Sequence, residues 1–338
     1  MVSKPYGFEV PVYLGASIVN HIELDNLDGR TVQTLMPTAR YFCWQPGVMI
    51  ARSRWFECFL ATPRQASSEA TSERGQYFLR TIRTDLDESR RWQAIDRLSR
   101  RALAAESLSH PGIIPVLDAE LDRPPFYVVE PFVAGRSLNV LRSGCAATSV
   151  SRLLWIARQV AEIISVSHDQ DRVHLGVSPE HVIVGNDGKV SVGGWSQSHK
   201  TGQKTWLPME TAEDILHQAP ETISANYRAA NSADVYSLGI LVYWLFAGCC
   251  PFASNDAVAV AAGHRNRIAP DLQSIQSNCP GPINQLVTQM LAKNPLRRPT
   301  MKSLVDQLIS IEIDHLHDQR IVNWIDRPFS LRSTAASA

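Results

Sequence analysis

The run SADVYSLGILVYWLFAGCCPF, from Ser232 to Phe252, is almost wholly apolar and nearly as long as a membrane span. Ser237, Gly239 and Pro251 interrupt it, and no basic flank follows. A helix apolar on every side also suits the centre of a large globular core. The run therefore predicts a buried core helix, with a domain large enough to surround it.

The composition agrees. The chain has 338 residues, 44% hydrophobic and 20% charged, enough for one large domain or two lobes. Lys+Arg and Asp+Glu both number 33, which excludes a generally basic nucleic-acid binder or a chain drawn to anionic membranes. The six cysteines (Cys43, Cys58, Cys145, Cys249, Cys250 and Cys279) form no C-x-x-C pair and no zinc spacing. They read as thiols of a reducing compartment, and Met-Val-Ser-Lys-Pro-Tyr at the start offers no apolar leader, so a cytoplasmic protein is expected.

Upstream, GVMIARSRWFECFLAT (Gly47 to Thr62) is apolar, aromatic and β-branched and predicts two paired strands. Pro63 to Gly75 is a polar loop, and Gln76 to Ile82 a further strand. A helix is expected from Asp87 to Leu108, with Asp85, Asp87 and Glu88 at its positive end and His110-Pro111-Gly112 stopping it. Strands are expected at Ile113–Leu117 and Phe126–Val129, then a turn at Gly135. Helical periodicity follows at Val150–His168, Asp234–Ala247, Pro282–Leu291 and Met301–Ile311. Residues 1–45, with strand-like scraps at Val10–Leu14 and Thr31–Leu35, read as an extension and residues 316–338 as a tail. Between them lie a strand-rich lobe, 46–132, and a helical lobe, 133–315.

That order resembles a protein kinase, an α+β bilobal fold, and several motifs carry the resemblance. Ala219-Pro220-Glu221 resembles the motif closing the activation segment. Asp234 and Gly239 fall in the signature of the family's central helix, and Gly248, Pro251 and Phe252 in its ending. NPLRRPT (Asn294 to Thr300) places Arg298 as the implied partner of Glu221. LSHPGIIPVLD (Leu108 to Asp118) is similar to the segment after the family's helix C, and YVVEPFVAGRSL (Tyr127 to Leu138) to its hinge. The pattern is closest to bacterial serine/threonine kinases.

Fold does not give function, so each chemical position is read separately. Phosphoryl transfer needs phosphate positioning, metal ligands and a base. The resemblance puts Ala51, Ser53 and Phe56 at the three places of the glycine loop. The phosphate-pinning lysine becomes Arg80, the small residue beside adenine becomes Phe78, and the helix C glutamate becomes Arg101. In HLGVSPEH (His174 to His181), His174, Pro179 and Glu180 match the catalytic loop. Its base becomes Gly176, its lysine Ser178 and its metal-binding asparagine His181. The second metal ligand becomes Gly194, followed by Trp195 and Ser196. Gly176 and Gly194 have no side chain to take a proton or hold Mg²⁺.

The resulting expectation is a pseudokinase, a regulator or scaffold acting through a protein partner, either an active kinase or its substrate, without nucleic acid or membrane. No cofactor is expected in a pocket occluded by Phe78, Glu130 and Ile183, with weak ATP binding left open. The alternative is a nucleotide sensor or an atypical kinase with residual ATP-dependent activity. Arg80 facing Arg101 would be repulsive, and Glu130, at the back of the same pocket, is expected to bridge one or both. Arg90, Arg97 and Arg101 share one helical face, read as a solvated face or a docking stripe. Trp195 is expected to fill the space left opposite Ala105, His181 to be a hydrogen-bonded loop residue, and His110, His217, His315 and His317 to hold no metal.

Overall fold

The computed structural model describes residues 43–64, 77–143, 149–205, 211–223 and 227–325. The predicted extension up to residue 42, most of the polar loop at 63–75 and the chain beyond 325 lie outside them. Strands β1 (Trp44–Arg52), β2 (Phe56–Pro63) and β3 (Tyr77–Ile82) precede helix α1 (Glu88–Ser107), and β4 (Asp118–Glu120) and β5 (Tyr127–Pro131) follow it. They form one antiparallel sheet in the order β1-β2-β3-β5-β4. β1 begins ahead of the expected boundary at 46, because Trp44 donates to Asp118 Oδ2 at 2.6 Å and lies edge-on to Tyr77.

Alternation along β3 sorts the side chains. Leu79 joins Phe59, Tyr127 and Val129 on one face. Phe78 and Ile82 join Phe56, Cys58 and Val128 on the other, against Ala94 and Leu98 of α1. The buried residues of α1, Ala94, Leu98, Arg101 and Ala104, recur at helical spacing and form one stripe toward the sheet and the lobe below. Asp87 caps this helix, its carboxylate accepting from Arg90 N at 2.8 Å.

The predicted strand at 113–117 is not formed; the pairing starts at Leu117, whose N–H donates to Val129 O, and the strand is β4. Ile113 and Ile114 are buried, and Ile113 bridges to Val192 in the second lobe, so this stretch serves as a tether between lobes.

The second lobe starts with β6 (Gly135–Ser137), α2 (Leu138–Ser143) and α3 (Val150–Asp169). Then come β7 (Arg172–Val173), β8 (Val182–Gly185) and β9 (Val190–Val192), with β6-β8-β9 forming a small sheet under the cleft. After a 3-10 turn at Trp195–Gln197, short strands β10 (His199–Lys200), β11 (Lys204–Thr205) and β12 (Tyr227–Arg228) flank α4 (Ala212–Ile215). Helices α5 (Asn231–Ala247), α6 (Ala257–Asn266), α7 (Leu272–Ile275), α8 (Gly281–Met290) and α9 (Met301–Ile325) complete it.

α5 is the central helix, buried on every face from Ala233 to Tyr243. Gly239 lets α8 come close: a Cβ there would lie 2.8 Å from Met290 Cβ. No helix among the described residues is long and apolar enough to cross a membrane. α9 runs past Ile311 and through the boundary expected at 316, because it packs along α3, where Arg158 Nε holds Glu312 Oε2 at 2.6 Å.

Candidate functional site

The cleft between the lobes is lined by Phe78, Arg80, Arg101, Glu130, His181 and Ile183 among others, around a cavity of about 20 Å³. That is room for about one water molecule. Sheet register explains the closure from above. Phe78 stands directly opposite Glu130 across β3 and β5, and Arg80 opposite Cys58 across β2 and β3. All four therefore project from the same face of the sheet, toward α1.

Arg101, at the lower end of the buried stripe of α1, meets Glu130 there. Its Nε and a terminal nitrogen both contact Glu130 Oε1. Arg80 approaches the other oxygen, Oε2, at 4.0 Å. Burial pushes the pKa of Arg101 down, opposed by the Glu130 charge. An arginine nonetheless stays protonated, so this carboxylate separates two fixed cations. Burial likewise raises the pKa of the Cys58 thiol, which remains neutral beside them. Arg101 therefore cannot belong to a solvated or docking stripe with Arg90 and Arg97: Arg90 is exposed, Arg97 is half-buried over the Trp55 ring at 4.7 Å, and Arg101 is buried.

The turn above the cleft, between β1 and β2, is closed on itself. Ser53 N donates to Phe56 O at 2.8 Å, and Ser53 Oγ accepts from the N–H groups of Trp55 and Phe56. The backbone donors that a phosphate-binding loop aims at its ligand are here engaged within the turn. Arg54 crosses to the second lobe and pairs with Asp214 of α4 at 3.2 Å, while Trp55 packs into the sheet–helix core. The part played by Trp55 and Arg54 was not anticipated. An indole among the three expected glycine places was the available signal.

Below, the loop between β7 and β8 is held by Asp234 of α5. Its carboxylate accepts from His174 N at 2.7 Å, Leu175 N at 2.8 Å and His168 Nε2 at 2.9 Å. These bonds hold Leu175 at a φ of 59°, a left-handed conformation that a leucine otherwise avoids. His168 carried no sequence signal.

His174 accepts from Gly176 N at Nδ1 and donates from Nε2 to Gly193 O. Burial lowers its pKa to about 4, so the ring is neutral. Trp195 lies edge-on to it, donates to Val192 O, and belongs to the core that contains Ala104 and Leu108. The buried alanine there is Ala104; Ala105, the expected counterpart, is half-exposed.

His181 ties the two glycines together. Its Nδ1 lies 2.6 Å from Gly176 O and 3.1 Å from Ser178 Oγ. Its ring covers Gly194, where an added Cβ would stand 2.5 Å from His181 Cγ at a φ of 79°. Nothing larger than glycine fits at 194 with the imidazole in place. Among the described residues, no three His, Cys, Asp or Glu side chains gather as a metal site.

Further out, Glu221 and Arg298 form a two-pronged ion pair at 2.5 and 2.9 Å. Ala219 and Pro220 are buried beside it. Arg298 also donates to the carbonyls of Ala292 and Ser232, and its guanidinium lies over Tyr236.

Residues 70–309 match the family model described as the protein kinase domain. The chain belongs to that family. Among its curated relatives is a probable serine/threonine-protein kinase of Clostridium perfringens, 26% identical over 224 residues, which cover 66% of this chain and 33% of the relative. Another, of Lactococcus lactis, is 24% identical over 231 residues (68% and 37%). The serine/threonine-protein kinase PrkC of Bacillus subtilis is 23% identical over 228 residues (67% and 35%). The chain thus spans about a third of the length of these relatives.

Proposed function

We propose that this protein is a non-catalytic member of the kinase family: a cytoplasmic regulator or scaffold that engages a protein partner, an active kinase or its substrate, through a kinase-shaped surface. The observation that carries the reading is the cleft closed by its own side chains. Arg101 and Arg80 share Glu130, Phe78 faces the same space, and His181 lies over Gly194. A cavity of about 20 Å³ supports the absence of nucleotide among its ligands. Glycine at 176 and 194 supports the absence of a base and a metal ligand. With the chemistry removed and the ion pair of Glu221 and Arg298 kept, what remains for selection is a surface.

The test is a thermal-shift titration with ATP, with and without Mg²⁺. A ligand raises the melting temperature only by binding the native state. No shift is expected up to millimolar nucleotide. A saturable shift in the low micromolar range would refute the reading.

A further inference from the structure

The two lobes meet at two joints of opposite character. One is the lower end of α1. Ala104 and Leu108 belong to the apolar core of the second lobe, with Val192 and Trp195. Arg172 of β7, only 7% exposed, reaches the same end of the helix. Its Nε donates to Ser107 Oγ at 3.1 Å, and its terminal nitrogens donate to Leu103 O at 3.4 Å and Ser198 Oγ at 3.3 Å. α1 has no basic residue in its own last turn, so the other lobe supplies the cation that its negative end favours. Parting the lobes here would expose apolar surface and strip a buried guanidinium of its acceptors.

The other joint is the turn between β1 and β2. There Arg54 meets Asp214 at 3.2 Å, with side chains 30% and 32% exposed. Each end is fixed in its own lobe. Arg83 donates to Ser53 O at 3.1 Å, and the Trp55 ring lies under Arg97 of α1. The Asp214 carboxylate accepts from Thr211 N at 2.9 Å, and its own N–H donates to Thr211 Oγ1. A half-exposed ion pair thus bridges two well-anchored ends. Such a pair favours the closed form by a factor of about two to five and is screened by salt.

We infer that Arg54 and Asp214 form a releasable latch at the mouth of the cleft: the turn lifts off α4 when the pair breaks, while the lower end of α1 stays docked. The contrast between the joints carries the inference. Breaking the first uncovers a shared core, whereas breaking the second returns two partly solvated ions to water. Trp55, stacked on Arg97, passes the movement of the turn to the upper part of α1. The inference does not depend on the non-catalytic reading, because its test contains no nucleotide.

The test is hydrogen–deuterium exchange of the full chain, read by mass spectrometry at about 0.05 M and about 1 M sodium chloride and constant pH. The amides of Trp55 and Phe56, held by Ser53 Oγ, exchange when the turn loosens. In the unaltered protein they should exchange about two to five times faster at high salt. The amide of Leu108, bonded to Ala104 O, should not respond. Asp214→Asn keeps the oxygen that caps α4 and removes the charge. It should show the faster exchange already at low salt and no further response. Arg54→Gln should behave alike, and the double variant should exceed neither single one. The salt titration of the unaltered protein does not depend on whether the variants fold. Turn amides indifferent to salt, a salt response that survives in Asp214→Asn, or Leu108 exchange rising in step with the turn would overturn the latch.

Discussion

Replacing Glu130 by methionine isolates the contact on which the closed cleft depends. The substitution keeps the length of the side chain and removes the only carboxylate within 4.0 Å of Arg80 and Arg101 among the described residues. Both guanidinium side chains are deeply buried, at 8% and 4% exposure, so water cannot replace the lost oxygen atoms without opening the lobe. Breaking one side of a buried pair costs about 3–5 kcal/mol, and here one carboxylate serves two cations. With an unfolding entropy of about 2.1 cal/mol/K per residue, each kcal/mol moves the melting temperature of a fold this large by a little under about 2 °C, so a fall of about 5–9 °C is expected. The double variant Glu130→Met with Arg101→Met replaces the tight pair by apolar groups and should recover at least about 2 kcal/mol. Calorimetry and urea unfolding of the four proteins in the cycle provide the measurement. A Glu130→Met protein within about 1 kcal/mol of the parent, or two single effects that simply add, would refute the reasoning.

Three further outcomes are expected. Arg298→Ala strands Glu221, whose side chain is 19% exposed, and removes the donor to the carbonyls of Ala292 and Ser232, so a loss of about 3 kcal/mol should appear in denaturant unfolding. His174 and His264 are fully buried, and burial lowers the pKa of each to about 4. The unfolded chain then binds more protons below its ordinary histidine pKa. Stability should be flat above pH 7, fall as pH drops through about 6.5 toward 4, and lose about 3 kcal/mol on account of His174, a share absent in His174→Phe when the pH profiles of melting are compared. Gly194→Asp places a Cβ against the His181 ring at positive φ and should cost about 2 kcal/mol or more by melting. Adding His181→Asn should return the steric part and leave the conformational part.

The sequence made the two lobes and the central helix legible because their signals are local: an apolar run at Val235–Phe246, a capped helix after Asp87, and motif residues such as Glu221 and Arg298 at family spacing. The bridge through Glu130 was legible for a different reason. Two arginines cannot lose their charge, so their juxtaposition demanded an anion, and Glu130 was the residue at hand. What escaped was non-local. The strand at 113–117 failed because Ile113 is drawn to Val192 of the other lobe, a contact that no local period encodes. Trp55 under the turn, Arg54 reaching Asp214, and His181 lying over Gly194 depend on how distant segments register in space. The sequence alone showed only that Gly194 lacks a carboxylate.

The measurement that bears most directly on the proposed non-catalytic role is phosphoryl transfer itself. The protein is incubated with γ-labelled ATP, Mg²⁺ or Mn²⁺ and generic protein substrates, beside a heat-unfolded control. Glycine at 176 and 194, with His181 over the second, predicts incorporation no higher in the folded protein than in the control. Label transferred by the folded protein, and lost when it unfolds, would contradict the non-catalytic reading.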